Sequence, residues 1–400
     1  MQVEKELMTN EQNFDKQLIE WRRHLHRHPE LSFQEEETAR FVAETLRRFE
    51  GVSIQTGVGR TGVVATITNG PGKTVAIRAD MDALPIQETN NHGYASKNHG
   101  VMHACGHDAH TAILLGAAQL LSERSSNGSF TGTIKLLFQP AEEATDAEGL
   151  SGAPRMMAEG VLDGVESIIA LHVCPWHDVG VIQVNEGYSM ASVDVFHAEI
   201  RGTGGHGGYP HLGTDPIWML GSVLQTFYSM PTRRLSPLDT AVASIGEIRT
   251  GTASNVIPEV VSVTGSIRAY SPEVREQMIL EVEKAFQIVV PLGGSYDFTV
   301  VRGEPALNND GSVTQIIKDT VREVDATILI EEGPFGLGGE DFGYMAQAVP
   351  GAMFFLGCAL PDGIRRDLHT SQFDIDERCL PIGVNILVES ALAILNRSDS

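Results

Sequence analysis

The sequence predicts an α/β protein whose main domain is interrupted by a smaller inserted one. Three observations carry this. Short apolar runs bounded by Gly and Pro alternate with helical periodicity up to about residue 188. The order then changes to β-α-β-β-α-β between about 189 and 303. Helix–strand alternation resumes after that and continues to the end. The main domain is therefore assigned to 1–188 and 304–400, and the insertion to 189–303.

Each element has its own signal. Phe14, Leu18, Trp21 and Leu25 recur at helical spacing over 14–28, and a second helix fits 35–49. Residues 62–67 and 74–78 read as strands. A helix rich in Ala and Leu fits 109–122. Strands fit 133–138 and 167–171, with a short helix at 152–160 between them. In the insertion, 193–200 is a strand, and 214–229 is a helix opened by Asp215-Pro216, with Pro in the first turn. Strands at 240–249 and 259–269, a helix at 272–290 and a strand at 297–302 complete a ferredoxin-like unit.

The chain has 400 residues, 42% of them hydrophobic, which is ample for more than one core. Its formal net charge of -23 repels nucleic acid and anionic membranes, so neither is an expected partner. The cysteines, Cys105, Cys174, Cys358 and Cys379, do not form a disulfide-scaffold pattern. Residues 1–7 are polar and acidic, with no apolar leader core, and no run approaches roughly 18 unbroken apolar residues. The expectation is a cytoplasmic protein with reduced thiols.

The strand map places Asp80 and Asp82 after the strand ending at Arg78. Glu142 and Glu143 follow the strand ending at Phe138, and His172 follows the run 168–171. Cys105 and His107 precede the helix at 109. Ligand sites in open α/β sheets lie at the carboxyl ends of strands, so separate segments deliver Asp, Glu, Cys and His to one edge. Thiolate and imidazole are strong ligands for zinc-like ions. A Cys-x-His pair alone reads more plainly as a packed cysteine beside a satisfied histidine. The neighbours Gly106, His103 and His110 favour metal, yet spacing leaves open which histidines bind. Of two adjacent carboxylates, one can bind metal while the other serves as general base. Asp146 and Glu148 keep the alternative of a solvated acidic loop. His172 in an apolar strand and His369 on a loop say little by themselves. His24, His26 and His28 resemble a metal cluster, but the helix there is stopped by Pro29 and positive charge suits a helix end, so they read as structural. The stretch from Gly202 to Gly208 lacks the Lys-Ser/Thr of a phosphate loop and reads as a flexible loop carrying His206.

Several of these segments together resemble the M20 metallopeptidases. The resemblance is to the aminoacylase-like branch, which holds N-acyl-amino-acid amidohydrolases, hippurate hydrolases and plant auxin-conjugate hydrolases. The matching stretches are 21–31, 78–86, 103–108, 139–143, 202–211, 255–258 and 338–342, in the family's order along nearly the whole chain. The resemblance implies a catalytic α/β domain with a central mixed sheet and an inserted ferredoxin-like lid and dimerisation domain. It implies two divalent ions (manganese, zinc, cobalt or nickel) held by Cys105, His107, Glu143, His172 and His369. Glu142 takes the part of general base, and Asp82 that of the residue orienting a ligand histidine. Asp80 stands where many relatives carry a ligand histidine, and His107 supplies that ligand. Cys105 replaces the usual bridging aspartate. His206 and Asn255 correspond to the residues that polarise the scissile carbonyl, and Arg268 to a grip on the substrate carboxylate. The implied reaction is hydrolysis of N-acyl-L-amino acids by metal-activated water in a homodimer or higher homo-oligomer, with a carboxypeptidase or dipeptidase as the alternative. Two other readings use Cys105 as a nucleophile with His107 as its base, which would survive EDTA but not iodoacetamide, or make the chain a binding protein that kept the scaffold.

Overall fold

The computed structural model describes residues 2–397, with side chains from residue 12 onward. The side chains of residues 1–7, on which part of the cytoplasmic expectation rests, lie outside the described residues. The chain divides into two compact units. One comprises 1–187, 308–335 and 344–400, and the other 188–307 with 336–343.

The larger unit is built on an eight-stranded mixed sheet. Across it run Val52–Val58, Gly62–Asn69, Gly132–Gln139, Thr74–Asp80, Ser167–Asp178, Gly351–Ala359, Val181–Gln183 and Leu329–Glu331. The four central strands, from Gly132–Gln139 to Gly351–Ala359, are parallel. They are buried on both faces, as parallel strands beneath helices must be. The helix His107–Ser126 is buried almost all round, which its Ala- and Leu-rich sequence permits. The helix Gln2–Arg27 lays Leu18 and Trp21 into the same core, and Leu25 is buried as well. Cys379–Asn396 is long and apolar enough to cross a membrane by composition, yet 67% of it is buried inside the protein, as in a core helix.

The smaller unit is a four-stranded antiparallel sheet in the order Ala241–Thr250, Val260–Ala269, Ser192–Arg201, Ser295–Arg302. Numbered along the chain this is 2-3-1-4, the ferredoxin-like arrangement. Its helices Pro216–Ser229 and Pro272–Gln287 both open on Pro. Asp215 caps the first by accepting from Ile217 N and Trp218 N, and Ser271 caps the second by accepting from Val274 N. Phe196, Phe227 and Phe286 meet beneath them.

Some details differ from the sequence expectation, the strand Val52–Val58 among them. Thr74–Asp80 runs on to include Asp80, and His172 lies inside Ser167–Asp178 instead of after it. The loop carrying His206 is also not wholly free. Gly205–His206 pairs with Val256–Ile257 as a short antiparallel ribbon.

Candidate metal centre

Strand register brings the polar residues of the larger unit level. Asp80 is opposite Gln139, and Arg78 is opposite Ala170, so His172 stands two residues further along, beside Asp80. Arg78 is fully buried. Its Nε donates to Gln139 Oε1 at 2.9 Å and its guanidinium to Asp80 Oδ2 at 2.7 Å. An arginine inside an apolar strand is itself a sequence signal of this charged core, one the sequence reading did not use.

Gly106 sets the helix carrying His107 against the strand of His172. Its φ is 90°, and a Cβ there would lie 2.3 Å from Val173 Cγ2, so a side chain is excluded twice. Ala141 and His369 are left-handed without being glycine, with φ of 46° and 60°. Such residues cost of order 1–3 kcal/mol and gather at functional sites. The buried Glu35 accepts from Ala141 N at 2.8 Å, holding the turn that presents Glu142 and Glu143.

The predicted side chains converge. His172 Nε2 is 3.4 Å from Cys105 Sγ, and His369 Nε2 is 3.3 Å from the same sulfur. His369 Nε2 is also 3.1 Å from Glu143 Oε1. Two sets of possible ligand atoms share Cys105: one with His107 and His172, the other with Glu143 and His369, each within 4.8 Å. Glu142 lies within the same reach of His107 and Glu143.

Hydrogen bonds fix the histidine tautomers. His107 Nδ1–H donates to Asp82 Oδ1 at 3.1 Å, and His172 Nδ1–H donates to Val173 O at 2.7 Å. Each Nε2 lone pair is thereby aimed at the centre. Asp82 Oδ2 in turn accepts from Ser32 Oγ at 2.6 Å and Glu143 N at 3.0 Å. His110 is excluded as a ligand. Its Nε2 accepts from Val173 N at 2.9 Å and its Nδ1–H is spent on Asp80 at 2.6 Å. His103 is buried nearby, and neither ring nitrogen is hydrogen-bonded among the described residues.

A divalent cation fits this donor set. Among the described residues, His107 Nε2 and Glu143 Oε1 are buried without a hydrogen bond. Burial first, then Glu143, Glu142 and Asp80, push the Cys105 thiol well above its usual range. Burial works to lower His107, but Asp80, Asp82 and Glu143 outweigh it and push it up to about 10. Both groups hold protons against an excess of negative charge, and a cation would displace those protons.

Sequence and structure comparisons agree with this chemistry. The profile of peptidase family M20/M25/M40 matches residues 76–393. An N-acetyl-L-cysteine deacetylase of Bacillus subtilis (strain 168) is 38% identical over 98% of this chain and 91% of its own. The chain belongs to peptidase family M20. A thermostable carboxypeptidase of Saccharolobus solfataricus is 37% identical over 98% of this chain and 99% of its own. The crystal structure of the YXEP protein of Bacillus subtilis, described as a dinuclear metal binding peptidase from the M20 family, superposes with a TM-score of 0.83. It is 34% identical and covers 96% of this chain and 99% of its own. As an M20 hydrolase with this donor set, the protein takes a divalent metal cofactor.

The insertion holds the other predicted residues. His206 and Asn255 are neighbours on the ribbon, where His206 pairs with Val256 and Gly207 N donates to Asn255 O at 2.8 Å. His206 Nδ1 accepts from Gly208 N at 2.9 Å. Arg268 lies on Val260–Ala269, half-buried, and its guanidinium donates to Leu337 O at 2.8 Å.

Proposed function

We propose that this M20 hydrolase cleaves the amide bond of N-acyl-L-amino acids, releasing a carboxylic acid and a free amino acid. The observation that carries the reading is the pair of ligand sets sharing Cys105, with Glu142 beside them. In this reading Cys105, His107, Glu143, His172 and His369 would hold two divalent ions, of manganese, zinc, cobalt or nickel, with Cys105 within reach of both ligand sets. Such ions would supply Lewis acidity, lowering the pKa of bound water to about 7 and polarising an amide carbonyl. Glu142 takes the proton from the attacking water and returns it to the leaving amine. Asp82 keeps His107 in the ligand tautomer. His206 and Asn255 stabilise the developing oxyanion, and Arg268 binds the substrate carboxylate.

The deacetylase relative supports an acyl-amino-acid substrate. A carboxypeptidase reading has the support of the Saccharolobus relative at nearly equal identity. One screen separates them. The full chain, reconstituted with Mn2+ or Zn2+, is assayed on N-acetyl, N-benzoyl and longer N-acyl amino acids beside dipeptides. Acyl-amino-acid turnover abolished by EDTA is expected. Turnover confined to dipeptides selects the alternative, and turnover that survives EDTA overturns the metal reading.

The homodimer and the reducing, cytoplasmic setting belong to the same proposal. The free thiol of Cys105 supports the second. The inserted unit's edge strand Ala241–Thr250, with Val242 and Ile248 exposed, supports the first. Sedimentation of the purified chain tests the dimer.

A further inference from the structure

The run from His24 to His28 takes no part in the Cys105 centre, and its three histidines do not behave alike. His24 and His28 line a surface pocket with Glu37 and Arg40. His26 is fully buried, and it faces another way. Its Nδ1 is 2.8 Å from Asp108 Oδ2, and its Nε2 is 3.3 Å from Glu88 Oε1. His92 Nε2 is also 3.3 Å from Glu88 Oε1, and 3.8 Å from Asp374 Oδ2. Ligand atoms around a tetrahedral zinc ion, bound at about 2.0–2.1 Å, stand roughly 3.3 Å apart. We propose that His26, Glu88 and His92 form a further divalent-cation site, suited to a zinc-like ion and separate from the Cys105 centre.

Each ligand is held as a metal ligand needs to be. Asp108 accepts from His26 Nδ1–H, and at Nε2, which meets Glu88 Oε1, an ion would take the place of the proton shared with that carboxylate. Glu88 is anchored through Oε2 by Ser96 N at 2.6 Å, and Asn90 Nδ2 donates to its Oε1 at 3.1 Å. Tyr94 stacks on His92 with ring centroids 3.7 Å apart. Both ring nitrogens of His92 are buried, and neither makes a hydrogen bond among the described residues.

Charge points the same way. Arg22 is the buried cation of this cluster and pairs with Asp108 and Asp374, while Glu377 is shared between Arg22 and Arg23. Glu88, Asp108 and Asp374 against Arg22 leave two negative charges over. One divalent ion with neutral histidines balances them. A proton on His26 balances only one.

Bound metal is the readout, so activity of the main centre is not needed. The full chain is stripped with a chelator, dialysed against Zn2+, and its zinc per chain measured by mass spectrometry. His92→Ala is expected to lower zinc by one equivalent, and so is Glu88→Gln. In a Cys105→Ala background, which impairs the main centre, His92→Ala should remove one further equivalent. Wild-type zinc content in both single variants would overturn the site. So would a Cys105→Ala chain whose zinc is indifferent to His92.

Discussion

In the larger unit His107 and His172 are buried, with Nδ1–H donated to Asp82 and to Val173 O, so Nε2 is the nitrogen each ring would turn to a cation. In the inserted unit His206 is exposed, and its Nδ1 accepts from Gly208 N, so the neutral ring carries its proton on Nε2. The two units thus present opposite tautomers of the same side chain. A lone pair suits a metal ligand, and an N–H suits an oxyanion. In the proposed mechanism the Asp82 carboxylate and Val173 O on one side, and Gly208 N on the other, would assign the two jobs.

The largest expected effect removes the residue that stands outside both groups. Glu142→Gln keeps the shape of the side chain and loses the base. Turnover is expected to fall by about 10²–10⁴, with metal content per chain unchanged. Near-wild-type turnover would remove Glu142 from the mechanism. Next comes the donor of the insertion. His206→Ala should lower kcat by about 10²–10³, again with unchanged metal content. A loss of metal on this substitution would erase the division of labour between the units. Third is the tautomer itself. Asp82→Asn can turn an amide N–H toward His107 Nδ1 and favour the wrong tautomer, and it disturbs the bonds from Ser32 and Glu143. Metal affinity should weaken about 10–100-fold, measured by competition with a chromogenic chelator. An unchanged affinity would mean that the hydrogen bond does not set the ligand.

The sequence carries the alternation of elements, the ferredoxin-like order and the metal-competent residues, because these depend on periodicity and residue type. It is silent where a tertiary partner decides. Val52–Val58 escapes notice because it is an edge strand, exposed along much of its length, with little apolar pattern. The end of Thr74–Asp80 is masked because Arg78 and Asp80 neutralise each other inside the sheet. His103, His107 and His110 cannot be ranked by spacing. The Val173 N–H removes His110 from the ligands, and that donor lies on another strand. His26 reads as a helix-end charge, since nothing local shows that Asp108 and Glu88 meet it in the interior.

The units also differ in how they treat carboxyl groups, and the smallest predicted effect tests this. In the insertion, Glu276 and Glu281 are held below the usual range, first by hydrogen bonds from the exposed arginines Arg302 and Arg234. In the larger unit Glu35 goes the other way. Burial, then repulsion from Asp82, pushes it up to about 7, although Thr61 and Ala141 donate to it. In the unfolded chain it titrates near about 4.3. Between about 4.3 and 7 the folded state therefore holds a proton that the unfolded state has released, and stability falls as pH rises through that window. Above it the buried charge costs on the order of 4 kcal/mol. Glu35→Gln mimics the neutral form and keeps an acceptor for Ala141 N. Thermal melts at pH 5 and pH 8 should show a smaller loss of stability for the variant than for wild type, with the variant more stable at pH 8. An equal loss in both would show that Glu35 is ionised at little cost. The turn before Glu142 would then be held without stored electrostatic strain.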